Sequence, residues 1–290
     1  MGGGLLTLHV RSSDLIPWIG PAWATMCGAI TSNNWHWQGQ DLIRLALLIL
    51  LVDLGWGTLW TALASTNWAQ PFRRWRHWRF GAPAPSLPYT RPGAPGDRVS
   101  RWMGHLRSWW RDIFWPTCAP ALLSALAAIP IIVLLGMILG ATSLLISIAA
   151  LAIMQIGLTL TGAQGAVEAE WDALIGVLLP WLAGHRTFDL LTPGAIGLAA
   201  AFTVTWSAGR RIQSAWGRGL IVVSQCLVLI LLIALQQPIA TAGLALLLIP
   251  QFTLLPWMQA GTQDDTSVNW YIRYTQPWLM ACMLIAALAL

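Results

Sequence analysis

Apolar residues in this chain come in long unbroken runs, separated by shorter polar intervals, with no sustained alternation of the kind a half-buried strand shows. A bilayer hydrocarbon core takes about 20 residues of α-helix to cross. On that ruler nine segments are candidates: 14–32, 42–64, 117–138, 142–160, 171–185, 191–207, 219–236, 239–258 and 275–290, the fifth and sixth being short. Helices apolar on every side belong in lipid or in a protein interior. The pattern therefore predicts an all-α polytopic membrane protein, a single transmembrane helical domain over residues 1–290, with no obvious internal repeat.

The intervals 67–116, 161–170, 208–218 and 259–274 fall on one side of such a bundle, and those on the other side are very short. The longest divides in two. Residues 81–96, GAPAPSLPYTRPGAPG, are rich in proline and glycine and predict an extended, mobile linker. Residues 98–115 place Arg98, Arg101 and Arg111 roughly on one face, with Trp102, Leu106, Trp109 and Ile113 at helical spacing on another. That predicts an amphipathic helix lying in the membrane interface ahead of the third span.

Composition and charge sharpen this picture. The chain is 57% hydrophobic and 9% charged, where a soluble domain carries about a quarter charged residues. Its sixteen basic residues are all arginine. With nine spans and a cytoplasmic N-terminus, fourteen arginines lie on the cytoplasmic side, and only Arg44 and Arg186 lie opposite. Positive charge concentrates in cytoplasmic loops, so that orientation, in a bacterial inner membrane, is the expected one. The start MGGGLLTLHVRSSD lacks the cationic opening and cleavage site of a signal peptide, so the first segment is expected to be retained. Cys27, Cys118, Cys226 and Cys282 are widely spaced in apolar runs and read as small buried hydrophobes. Twenty tryptophans, many at segment ends, fit the amphipathic belt at headgroup level.

One interval is unusual. STNWAQPFRRWRHWRF, Ser65 to Phe80, packs four arginines and three tryptophans just beyond the second segment. It is too short and too rich in tryptophan for a nucleic-acid surface, and anionic lipid attracts such a segment at about 1 kcal/mol per arginine. The whole layout resembles the UbiA superfamily of intramembrane prenyltransferases. Arg11 and PWIGPAWATMCGAI resemble that family's first helix, WDALIGVLLPWLAGHRT its fifth, and FTVTWSAGRRIQSAWGRGL its sixth helix and second signature loop, down to Gly219. The resemblance implies nine helices, a cytoplasmic N-terminus, and signature loops after helices two and six whose aspartates hold Mg²⁺ against an allylic diphosphate.

Here those aspartates are gone. Asn67 stands at the head of the first motif, but Trp68, Pro71 and Trp75 occupy the three aspartate positions. The second loop offers Arg210, Arg211, Gln213 and Arg218. Mg²⁺ requires hard oxygen ligands, so Mg²⁺ and the family's transfer chemistry are not expected. The expected role is instead a degenerate UbiA-like protein serving as a structural or assembly subunit of a larger bioenergetic or photosynthetic complex. Asn67, Gln70, Arg73, Arg74, Arg210, Arg211 and Gln213 would bind an anionic headgroup or an acidic partner surface. The former substrate cavity would hold a lipid, a quinone or a chlorophyll-type pigment, and the partners would be membrane lipids and other integral membrane subunits. The alternatives are a divergent active prenyltransferase, using Asp53 or Asp264 and Asp265 as ligands, and a small transporter or flippase.

Three further features are singled out. Asp53 sits mid-span, where a carboxylate is costly enough to suggest a role, with Thr58 and Gln155 as candidate partners. His36 and His185 are the candidate axial ligands for a pigment, both near segment ends, while His77 is expected to be solvated. Asp264 and Asp265 are expected to cap the last helix or to meet an arginine.

Overall fold

The computed structural model describes residues 20–64, 66–75, 95–160, 169–256 and 265–290; side chains are not described for Ala69 and residues 265–269. Among these there is no strand. The helices are α1 (Pro21–Ile30), α2 (Gly39–Ile49), α3 (Thr58–Ala64), α4 (Ala69–Trp75), α5 (Pro95–Trp109), α6 (Trp115–Leu139), α7 (Ala141–Leu160), α8 (Ala169–Ala173), α9 (Leu179–Phe188), α10 (Pro193–Arg210), α11 (Ala215–Ala234), α12 (Pro238–Leu254) and α13 (Asp265–Leu288). π-Helical stretches join α2 to α3 (Leu50–Gly57), α5 to α6 (Trp110–Phe114) and α8 to α9 (Leu174–Leu178), so each pair is continuous.

Four of these continuous helices are long and apolar enough to cross a membrane: Gly39–Ala64, Pro95–Leu139, Ala141–Leu160 and Ala215–Ala234. In the most apolar of them, α6, only 17% of the apolar window is buried. Leu126, Leu134, Met137 and Ile138 point outward, each at least 60% exposed. Soluble monomers rarely present so continuous an apolar surface; lipid is the solvent that suits it. The protein is an integral membrane protein.

The amphipathic stretch 98–115 departs from expectation. It is not a separate interfacial helix but the first third of a 45-residue helix, Pro95–Leu139. Pro116 would ordinarily break the chain there, because proline lacks the N–H for the ladder and its ring crowds the preceding turn. The π-helical stretch immediately before it shifts the bonding register, and the helix passes the proline without interruption. At 1.5 Å per residue this rod is about 68 Å long, roughly twice a hydrocarbon core. At its far end a single residue, Gly140, separates α6 from α7. Its φ of 106° is a conformation that favours glycine.

Two hydrophobic cores share one helix. Val177 and Trp181 join the core built with α1 and α10–α13, while Ile175, Leu179 and Ala183 join the core built with α2, α3, α6 and α7. The helix Ala169–Phe188 thus presents residues four apart to each side and forms the centre of the molecule. Against it α1 packs with unusual closeness. A Cβ on Gly28 would stand 2.0 Å from the Trp181 carbonyl oxygen, and one on Gly184 would stand 2.1 Å from that of Thr25. Two glycines let the backbones touch, as small residues do where membrane helices cross closely. Three of the four cysteines are buried as expected, but Cys226 is exposed on α11.

Candidate functional site

The two arginine-bearing regions turn out to be built in different ways. In the first, Asn67 is a helix cap: its Oδ1 accepts the Gln70 backbone N–H at 3.1 Å and so closes the first turn of α4. Trp68 donates its indole N–H to the Leu63 carbonyl at 2.9 Å. Trp109 donates to the carbonyl of Pro71 at 2.9 Å, and its ring meets Trp75 at 5.2 Å and Phe72 at 5.5 Å. The positions at which the resemblance would put aspartates are therefore the aromatic seam that fastens α4 onto α5. Arg73 and Arg74 stand exposed in the last turn of α4, the end at which cations complement the helix dipole, and Gln70 is exposed as well. Arg76, His77 and Arg79, with the rest of 76–94, lie outside the described residues.

The second region is satisfied within the chain. Arg210 donates to Asp172 at 2.8 Å and lies over the Trp206 ring, 5.6 Å from its centroid, while Arg211 pairs with Glu170. Arg218 donates to the carbonyls of Ile212 (3.1 Å) and Gln213 (3.0 Å), closing the turn between α10 and α11; the Gln213 side chain is exposed. Arg210 and Arg211, expected to meet an external anion, each face a carboxylate of α8 instead. Exposed pairs of this kind contribute little. Asp172→Asn or Glu170→Gln is expected to lower stability by about 0.5 kcal/mol, read as a shift of the thermal melt in detergent, with a drop of several times that size contradicting the geometry.

Mg²⁺ is the ion the family resemblance implies, and the donor set does not fit it. The first site offers indoles and a proline carbonyl already bonded to Trp109. At the second, Glu170 and Asp172 are committed to arginines. Among the described residues no group of three or more His, Cys, Asp or Glu side chains could share a cation.

Asp53 is 4% exposed on the π-helical stretch after α2. Its Oδ1 lies 4.0 Å from where a Cβ on Gly20 would stand, and Gly20 is the N-cap of α1. Here the α1 dipole favours negative charge and lowers the cost of holding a carboxylate within the membrane. Gln155, suggested as its partner, is exposed on α7.

The two histidines separate. His185, fully buried on α9, has both ring nitrogens engaged: Nε2 donates to the Leu190 carbonyl at 3.0 Å, and Nδ1 is 3.0 Å from the Thr31 hydroxyl. The Thr31 hydroxyl also donates to the Gly28 carbonyl at 2.7 Å, so the ring sits in a closed network inside the protein, with neither nitrogen facing open space where a pigment metal could approach. His185 is a bolt between α9 and the end of α1. His185→Ala is expected to cost about 2 kcal/mol by removing two hydrogen bonds of about 1 kcal/mol each. A melt within a degree of wild type would refute that role. His36 is exposed, its Nδ1 donating to the Asn34 carbonyl at 2.9 Å, which fixes Nε2 as the acceptor of the ring; its neighbours Trp35 and Trp37 pack at 4.6 Å. Asp265 is the first residue of α13, and Asp264 lies outside the described residues.

Sequence reading passed over two glutamines. Gln225 on α11 and Gln251 on α12 are 1% and 2% exposed, and the Gln225 amide N–H donates to Gln251 Oε1. The signal was present: each is the one amide in a largely apolar run, VVSQCLV and LIPQFTL. A charged group draws attention in such a run, and an amide does not.

No protein-family model, no curated protein and no solved structure matches this chain.

Proposed function

We propose that the protein is an intramembrane binding and assembly subunit with a UbiA-prenyltransferase-like layout of nine spans and a cytoplasmic N-terminus, acting without prenyl transfer. The observation that carries this reading is the pairing of Arg210 with Asp172 and Arg211 with Glu170. The carboxylates that meet the second signature loop, Glu170 and Asp172, each face an arginine, an electrostatic setting unfavourable to the cation that a departing diphosphate needs. The exposed arginines Arg73 and Arg74, beside the aromatic seam, suit an anionic headgroup or the acidic surface of a neighbouring subunit. His36, with Nε2 as acceptor, is the histidine that supports a bound pigment.

Two measurements test this. Purified protein incubated with an allylic diphosphate, an aromatic acceptor and Mg²⁺ is expected to give no product above the protein-free background. Turnover that disappears on chelation would establish the divergent-enzyme alternative. Extraction in mild detergent is expected to release the chain in a stoichiometric assembly with other integral membrane subunits, and a solitary, monodisperse chain would defeat the assembly role.

A further inference from the structure

An open groove of about 500 Å³ runs along α5 where it passes into α6, with α4 on one side. Met103, Leu106, Arg107 and Trp110 recur at intervals of three and four residues, so they share one face of the helix. Phe114 and, from α4, Phe72 complete the apolar lining; their rings are 6.2 Å apart, and Phe114 stacks on Trp110 at 4.5 Å. Arg107 is the one charged side chain on the wall. Among the described residues no carboxylate pairs with it, whereas Arg101, Arg210 and Arg211 each have one.

The groove lies where two spans leave the hydrocarbon. Gly39–Ala64 ends shortly before α4, and the Trp68 indole ties the connection back to the Leu63 carbonyl. Phe114 directly precedes α6, whose apolar run crosses the membrane. From Phe114 to Arg107 the helix rises about 10 Å. The guanidinium therefore stands at the level of lipid headgroups, with the rings of Trp110 and Phe114 between it and the apolar layer.

We propose that this groove is a binding site for one anionic phospholipid, its phosphate on Arg107 and the upper part of an acyl chain on Phe72, Trp110 and Phe114. A neutral lipid would leave the Arg107 charge unanswered, and a soluble phosphate would make no use of the rings. A guanidinium offers phosphate oxygens two parallel N–H groups. Arg73 and Arg74, exposed beside Phe72 in the chain, extend the positive field. The volume falls within the range of ligand sites and takes the glycerol region and the first chain carbons, the rest of the lipid staying in the bilayer. The site deepens the headgroup reading of Arg73 and Arg74 and rests on it. The transfer and assembly measurements above do not depend on lipid, so either can fail without the other.

The test offers the full chain, stripped of lipid in detergent, an equimolar mixture of phosphatidylglycerol and phosphatidylcholine with identical chains, and reads bound lipid by native mass spectrometry. One phosphatidylglycerol per chain is expected to be retained, with a preference of about tenfold over phosphatidylcholine. Arg107→Gln is expected to bring that ratio close to one. Met103→Glu should do the same, because a carboxylate four residues before Arg107 pairs with it and repels phosphate. Arg98→Gln is the control: Arg98 is exposed on the same helix but outside the groove, and the ratio should not change. All three side chains are exposed, so the variants should melt with wild type. Equal losses in Arg98→Gln and Arg107→Gln would reduce the preference to diffuse charge. Displacement of the lipid by glycerol 3-phosphate at the same concentration would make this a site for soluble phosphate. No selective retention at all would leave the groove to another occupant, such as a neighbouring subunit. Each of these three results would overturn the proposal.

Discussion

Alanine at Gly28 or at Gly184 is expected to cost about 3 kcal/mol or more, at or above the upper end of what overpacking a tight contact usually costs. The obstacle in each case is a carbonyl oxygen of the opposite helix, 2.0 Å and 2.1 Å from the added carbon. Backbone cannot rotate away as a side chain can, so α1 and α9 must separate. Separation stretches the Thr31–His185 contact and uncovers Trp181, which is otherwise fully buried. Because either variant already opens the interface, the double variant is expected to cost less than the two singles added together. Gly219→Ala is the control: nothing lies within 4 Å of its added Cβ, and alanine at a helical position is worth up to about 1 kcal/mol over glycine. Thermal melts in detergent, followed by helical circular dichroism, give the comparison. Gly28→Ala melting with wild type would mean that the two backbones do not touch.

Trp109→Ala is expected to cost about 3–5 kcal/mol, the range for removing a large buried aromatic, with the damage confined to the junction of α4 and α5. Trp109 is 5% exposed, contacts Phe72, Trp75 and Phe114 ring to ring, and bonds the Pro71 carbonyl. Without it α4 has no seam to lie in. Limited trypsin digestion should then cut after Arg73 or Arg74 many times faster than in wild type, while the rest of the bundle keeps its protection. Trp109→Phe keeps most of the ring packing and loses the hydrogen bond, at a cost of about 1 kcal/mol. If the alanine variant is cut no faster than wild type, α4 is held by something else.

Much of the helical layout was legible from run length, because apolar stretches of roughly bilayer length leave few alternatives. Each of the nine segments is helical over most of its described residues. What stayed hidden was what depends on residues distant in the chain. Arg210 and Arg211 look unpaired in sequence, since Asp172 and Glu170 stand 38 and 41 residues away. His185 looks like a ligand near a helix end until Thr31 and Leu190 are found on its two nitrogens. Trp109 and the tryptophans of 65–80 read as belt residues facing lipid, and only folding shows two of them, Trp68 and Trp75, packed in the Trp109 cluster. The uninterrupted helix through Pro116 was missed for a local reason: periodicity at 3.6 residues per turn does not register a π-helical turn.

The touching glycines also set a clock. Thr31 and His185 are 154 residues apart, so α1 leaves the ribosome long before its partner exists. At roughly 5–20 residues per second of synthesis, the first helix waits on the order of 8–30 seconds with its glycine face open to lipid or to the insertion machinery. The first described helix is seated only when α9 arrives, and nascent chains ending before α9 should be the ones that quality-control proteases remove.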